Sequence, residues 1–133
     1  MIDVSAIHAA INASHRYRRE ETDNWQTPAE FDASGVGDCE DFAIAYWHAL
    51  HQHARLAWCW RSDRQAHMVC LYYDDADPLV LDVAVDAVCR LSERPDLVVM
   101  YELDAQGLHS RYGSRPPTQV APWAGVLARM AKE

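Results

Sequence analysis

The sequence predicts an α+β fold, in which N-terminal helices are followed by an antiparallel sheet and a C-terminal helix. Two observations predict it. Apolar residues recur at helical spacing up to about residue 53, and short segments rich in β-branched and aromatic residues, joined by linkers of hairpin length, follow. The length of 133 residues fits one domain, and we expect residues 1–133 to form it.

Two helices are predicted in the N-terminal part of the chain. The first begins after Asp3, which is suited to cap it, and runs to about Glu20. Its inward positions are Val4, Ile7 and Ile11. Residues 21–37 are expected to form a loop, because they contain Asp, Asn, Thr-Pro and two glycines. The second helix opens at Asp38 and ends near His53. Its inward positions are Phe42, Ala43, Tyr46, Ala49 and Leu50.

The remaining residues predict the sheet and the last helix. The predicted strands are Leu56–Arg61, His67–Tyr73, Leu79–Val85 and Leu97–Leu103. Residues 107–113 are expected to add an edge strand. A final helix is predicted near the C-terminus, with Pro122 in its first turn and Trp123 and Val126 on its apolar face.

Composition and charge exclude several classes of function. The formal net charge of −8 argues against nucleic acid or an anionic membrane as a partner. No apolar segment approaches the roughly 20 residues that a membrane helix needs, so membrane insertion is not expected. The first residues lack the basic start and apolar run of an export signal, which predicts a cytoplasmic protein, or a periplasmic one if the sequence is a trimmed form.

The segment GVGDCEDFAIAYW contains the strongest candidate for chemistry. Asp38 and Asp41 have the spacing of a capping box, which places Cys39 at the first helical position. The helix dipole and unpaired N–H groups there favour a thiolate, and the same N–H groups can stabilise an oxyanion. Three flanking carboxylates oppose the thiolate, and Cys39 also fits a purely structural role as a small packing residue.

Two further side chains complete a candidate triad. His67 begins one strand, and Asp82 interrupts the otherwise apolar run LVLDVAV on the next. A buried carboxylate needs a partner, and neighbouring hairpin strands can supply one. The two side chains share a face only if paired residue numbers sum to an odd value, such as 149 or 151. We therefore expect Cys39 as nucleophile, His67 as base and Asp82 as the group that orients the histidine.

Five segments of the chain resemble the bacterial transglutaminase-like cysteine peptidases of the LapG-like group. They are WQTPAEF, GVGDCEDFAIAYW, QAHMVCLYY, PLVLD and RPDLVVMYELDAQGL. The resemblance runs from about residue 6 to WAGVLARM near the C-terminus. It implies a papain/transglutaminase-like fold, a cysteine (thiol) peptidase acting on a protein or peptide substrate, and a triad of Cys39, His67 and Asp82. One departure is Val83, where the family often has Asn.

The resemblance also implies a cofactor and further site residues. LapG-like proteins depend on calcium, and the implied ligands here are Asp38, Glu40 and Asp41, with Asp23 from the preceding loop; clustered carboxylates suit this ion. The alternative is that these acids only favour the helix N-terminus. Trp25, in the WQTP loop, is expected either to donate its indole N–H to an oxyanion together with the Cys39 backbone N–H, or to pack in the core.

Two other functions remain open. One is transglutaminase-type acyl transfer to an amine, which product analysis with and without an added amine would distinguish from hydrolysis. The other is a catalytically idle domain of the same fold that binds calcium or a regulatory protein, which the thiol reactivity of Cys39 would distinguish from an enzyme.

Overall fold

A computed structural model describes residues 2–19 and 24–133, and it confirms the predicted α+β fold. Four α-helices occur in the described residues. They are α1 (Val4–Ser14), α2 (Pro28–Ser34), α3 (Cys39–Leu50) and α4 (Val120–Met130). The strands are β1 (Arg16–Tyr17), β2 (Val36–Gly37), β3 (Ala54–Arg61), β4 (Ala66–Tyr72), β5 (Leu79–Leu81), β6 (Cys89–Arg90), β7 (Leu97–Asp104) and β8 (Gly107–Arg111).

Six of the strands form one antiparallel sheet in the order β6-β5-β4-β3-β7-β8. Helix α3 packs against β4 and β3, and α1 packs against α3. One core cluster joins α3 and α4 to the sheet, including Ile44, Met68 and Trp123. A second cluster holds α1 and α2 beside α3, so the start of α3 and the end of β5 are both enclosed by the N-terminal helices.

The first helix ends earlier than the sequence predicts, at Ser14 rather than near Glu20, which lies outside the described residues. His15 takes up an extended conformation, and its Nδ1 donates to the Ile11 carbonyl at 2.8 Å. The chain then pairs in parallel with β2 through Arg16 and Tyr17. Helix α1 therefore ends where the His15 side chain bonds a helix carbonyl and strand β2 pairs with the backbone that follows.

The predicted loop over residues 21–37 is wrong in its second half, because α2 and β2 lie there. Thr27 and Glu30 form a capping box, and Pro28 occupies the first turn of α2. Both are helix-start signals that the Thr-Pro turn interpretation overlooked. Gly35, with φ 69°, ends the helix in the left-handed conformation.

The other elements lie close to their predicted positions. Helix α3 begins at Cys39 as expected and ends at Leu50, before the predicted end near His53. Strand β5 ends at Leu81 and not at Val85, which leaves Asp82 just beyond the strand. The edge strand β8 and helix α4, with Pro122 in its first turn, are as predicted.

No helix in the described part of the chain is long and apolar enough to cross a membrane. That residues 1–133 form a single domain stays a prediction.

Candidate active site

Cys39 is the first residue of α3, and the segment before it is built to hold that helix start. The Asp38 backbone N–H donates to Asp41 Oδ2 at 3.1 Å, and the Gln26 backbone N–H donates to Asp41 Oδ1 at 2.9 Å. A Cβ at Gly37 would lie 2.5 Å from Asp41 Oδ2 and 2.7 Å from Asp41 Cβ, so only glycine fits there. The capping role predicted for Asp41 therefore accounts for its position.

His67 and Asp82 meet in the interior of the protein. His67 Nε2 donates to Asp82 Oδ1 at 2.6 Å, and the two side chains are 6% and 0% exposed. Strand β4 pairs Cys70 with Leu81, and these numbers sum to 151, one of the odd values that place His67 and Asp82 on the same face.

Two groups besides His67 hold the Asp82 carboxylate. The Ala84 backbone N–H donates to Asp82 Oδ1 at 2.9 Å, and Arg94 Nη2 donates to Oδ2 at 3.0 Å. Burial by itself raises the pKa of this carboxyl, but the hydrogen bond and charge of His67, with the bonds from Ala84 and Arg94, outweigh it and lower the pKa to about 2. Asp82 is therefore ionised over the physiological pH range.

Cys39 and His67 line the same open cavity of about 330 Å³. Its other lining residues are Tyr17, Arg19, Asp38, Glu40, Arg61, Gln65 and Ala66. Because Asp82 occupies Nε2 of His67, Nδ1 is the ring nitrogen that remains for a thiol. Among the described residues, no hydrogen bond joins the Cys39 thiol to His67, an arrangement that apo active sites often show before substrate binds.

The pKa of Cys39 is raised, opposite to the effect predicted for a helix N-terminus. Burial is the largest cause, followed by the negative charge of Glu40 and, more weakly, of Asp38. The Met68 backbone N–H favours the thiolate but does not offset them. Burial and the charges of two flanking acids thus outweigh the effect of the helix dipole on the Cys39 pKa. Cys39 is therefore a neutral thiol at pH 7.

The four predicted calcium ligands have different surroundings. Both oxygens of Asp41 already accept N–H bonds from Gln26 and Asp38, so Asp41 is committed to the helix start. Glu40 is 6% exposed, and its Oε2 is buried without a hydrogen-bond partner, which suits a cation ligand. Asp23 lies outside the described residues. In the described chain no three His, Cys, Asp or Glu side chains are grouped to hold a metal, so these residues alone do not make up the predicted site.

Trp25 is buried, 5% exposed, in the core cluster against which Cys39 packs. Its indole Nε1 is buried without a hydrogen-bond partner, and its carbonyl accepts from Arg129 at 2.6 Å. The packing role is therefore present. The free N–H leaves the oxyanion role as a prediction, since a buried donor without a partner is costly.

Sequence reasoning missed two residues that hold Asp82. Arg94 lies in the segment SERPD, where no periodicity marks it as a partner. His8, on α1, reaches the Asp82 backbone carbonyl with its Nε2 at 2.9 Å. A signal for His8 did exist, because it stands four residues after Val4 on the inward side of the helix.

Comparisons with known proteins add to this geometry. No protein-family model and no curated protein matches the chain. Calcium-bound Legionella pneumophila LapG is similar in structure with a TM-score of 0.82 and 28% identity, over 96% of this chain and 78% of that one. EGTA-treated LapG from the same organism is similar with a TM-score of 0.84 and 28% identity, over 96% and 77%. A proposed cysteine protease from Cytophaga hutchinsonii is similar with a TM-score of 0.51 and 17% identity, over 86% and 46%, which shows the fold alone.

These similarities confirm the resemblance to the LapG-like transglutaminase-like cysteine peptidases and the fold that it implied. LapG itself has been obtained both with calcium and after treatment with EGTA.

Proposed function

We propose that this protein is a cysteine peptidase that hydrolyses a peptide bond of a protein substrate through Cys39, His67 and Asp82. The observation that carries the proposal is the buried His67–Asp82 hydrogen bond of 2.6 Å, in a cavity that the His67 and Cys39 side chains both line. A histidine whose Nε2 is held by an ionised carboxylate presents Nδ1 as a base. The similarity to LapG supports the same chemistry.

In the proposed mechanism the resting nucleophile is a thiol. As the Cys39 sulfur attacks the substrate carbonyl, its proton passes to His67 Nδ1, and the carbonyl oxygen becomes an oxyanion. The Cys39 backbone N–H, at the first turn of α3, and the Trp25 indole N–H are the donors we assign to that oxyanion. His67 then protonates the leaving amine, and an acyl-enzyme thioester forms. His67 next takes a proton from water, whose oxygen attacks the thioester carbonyl and displaces the sulfur. The acid is released, and the proton on His67 returns to the sulfur, which restores the thiol.

Alkylation followed by peptide mass spectrometry tests the nucleophile. Iodoacetamide should modify Cys39 at a rate that depends on His67, with Cys89, which is also partly exposed, as the internal reference. His67→Ala should slow the Cys39 reaction and leave Cys89 unchanged. A Cys39 rate that His67→Ala leaves unchanged would instead support an idle domain of the same fold.

Product analysis on a peptide library tests the reaction. New termini that carry one added water should appear with the wild type and not with Cys39→Ser. An added primary amine should leave the products unchanged, and its incorporation would identify acyl transfer rather than hydrolysis.

Calcium is the cofactor we propose for this protein, with Asp38 and Glu40 contributing ligands. The buried, partnerless Oε2 of Glu40 supports the proposal. Millimolar Ca²⁺ should raise the melting temperature, and EGTA should reverse the rise. Glu40→Gln should abolish the shift, whereas Asp86→Asn, which removes one negative charge from an exposed position, should keep it. An unchanged melting temperature in wild type would leave these acids as helix-start residues.

A regulatory protein partner remains a prediction from the resemblance.

A further inference from the structure

The backbone carbonyl of Asp82 needs a partner outside the sheet. Strand β5 ends at Leu81, so Asp82 is the first residue beyond the strand pairing. Asp82 is 0% exposed. The Val85 N–H approaches this carbonyl only at 3.4 Å. A buried backbone acceptor left without a good donor is costly.

His8 supplies that donor from α1, across 74 positions of sequence. Its ring is buried, 2% exposed, and its Nε2 lies 2.9 Å from the Asp82 oxygen. Because a carbonyl oxygen only accepts, Nε2 must carry the proton in this bond. The bond acts on the main chain of Asp82, at the residue whose carboxylate holds His67.

The same turn of α1 also reaches the helix that begins with Cys39. Asn12 lies beside His8, and its Oδ1 accepts from the Tyr46 hydroxyl on α3. Its Nδ2 lies 3.2 Å from the His8 Nε2, a contact and not a hydrogen bond because both nitrogens carry protons. The His8 and Tyr46 rings are 5.4 Å apart. One polar cluster, formed by His8, Asn12 and Tyr46, thus connects α3 to the end of β5.

We propose that His8 is a positioning residue, which fixes the Asp82 main chain so that the carboxylate holds His67 with Nδ1 turned toward Cys39. The proposal rests on the proposed peptidase function for its kinetic consequence, but not for its structural one. His8 lines no part of the cavity that holds Cys39 and His67, so it acts through Asp82 and does not touch substrate.

The structural consequence is measured on the full chain with ¹⁵N-labelled histidine. In wild type, the His67 ring nitrogens should report a proton on Nε2, with the signal assigned by its loss in His67→Ala. His8→Ala should convert His67 to a mixture of tautomers. His8→Gln, which offers an amide N–H at a similar reach, should restore the wild-type signal.

The kinetic consequence is measured on peptide hydrolysis by the same variants, each well below its melting temperature. His8→Ala should lower kcat about tenfold with little change in KM, since the substrate contacts are intact and the base is displaced. The control is Ile7→Ala, which truncates the neighbouring α1 residue that packs against the second core cluster. It should keep wild-type kcat despite a loss of stability.

Wild-type tautomer signals and kcat in folded His8→Ala would overturn the proposal, as would an equal kcat loss in Ile7→Ala. If wild type hydrolyses no peptide at all, the peptidase proposal fails, and the tautomer measurement still decides the role of His8.

Discussion

At the scale of single residues, the surroundings of Cys39 decide its chemistry more than its place in a helix does. The helix start favours a thiolate, but burial and the charges of Glu40 and Asp38 raise the pKa of the thiol. A resting thiolate is therefore not the nucleophile we expect. The proposed reaction depends instead on His67 as a base, and the proposal assigns the buried Asp82, which holds Nε2 of His67, to orient it.

The pH dependence of Cys39 alkylation follows from the direction of its pKa shift. The midpoint of the rate profile should lie above that of an ordinary thiol, because the neutral form is favoured up to a higher pH. Glu40→Gln removes one negative neighbour and should move the profile to lower pH, raising the rate at pH 8 by roughly tenfold per pKa unit. The Cys89 rate, recorded in the same digest, should not change. A Cys39 midpoint below that of a free cysteine would contradict this account.

Arg94 is the charged side chain that holds Oδ2 of Asp82, and its removal should reduce activity. Arg94→Gln releases Oδ2 of Asp82 and also removes the pairing of Arg94 with Asp96 at 2.9 Å. We expect kcat for peptide hydrolysis to fall about tenfold, because a freer carboxylate orients His67 less well. The matched control is Arg90→Gln. Arg90 pairs with Asp74, and because both side chains are partly exposed this ion pair contributes little to stability. Equal kcat values for the two variants would exclude a role for Arg94.

At the scale of elements, the site depends on how three segments end or begin. Helix α3 begins at Cys39 because Gly37 lets the Asp41 carboxylate come close to the chain. Strand β5 ends at Leu81, where Asp82 Oδ1 accepts the Ala84 N–H and turns the chain. Helix α1 ends at Ser14, and the chain then continues as β1 toward the cavity.

Gly37→Ala tests the close approach at the start of α3. The added Cβ would lie 2.5 Å from Asp41 Oδ2 and 2.8 Å from Phe31 Cε1, so the helix start must shift. We expect a loss of about 1–3 kcal/mol in the free energy of unfolding, measured by urea denaturation, and slower alkylation of Cys39. Gly35→Asn is the control, because Gly35 has open space and a left-handed φ of 69° that Asn tolerates. If the two variants are equally stable, the close packing at Gly37 is not required.

At the scale of the whole molecule, the buried carboxylate of Asp82 links the free energy of unfolding to pH. The pKa of Asp82 is lowered to about 2 in the folded protein, below the value of an unfolded chain. A depressed carboxyl pKa contributes stability above the unfolded pKa, and this contribution is lost as pH falls through the folded pKa. The stability that Asp82 provides should therefore be complete at pH 7 and disappear between about pH 4 and pH 2.

Urea denaturation across that pH range measures the effect. Wild type should lose about 2 kcal/mol of its free energy of unfolding through Asp82 between pH 4 and pH 2. Asp82→Asn should be less stable at pH 7 and should lose correspondingly less on acidification. Asp86→Asn, at an exposed position, should follow the wild-type curve. If the free energies of unfolding of wild type and Asp82→Asn change with pH in parallel, Asp82 does not link folding to pH.

The sequence by itself determined the helix start at Cys39, the capping role of Asp41, the order of helices and strands, and the candidate triad. These depend on capping, periodicity and strand parity, which act over a few residues and can be recognised from spacing. The capping box of α2 was available in the same way, through Thr27 and Glu30, and was overlooked.

Only the tertiary structure decided how the site is held and charged. His8 meets Asp82 across 74 positions, and Arg94 meets it from a segment without periodicity. The raised pKa of Cys39 comes first from burial, which no local pattern around residue 39 reports. Such contacts arise when distant segments pack together, so their partners and distances depend on the whole fold and not on neighbours in the chain.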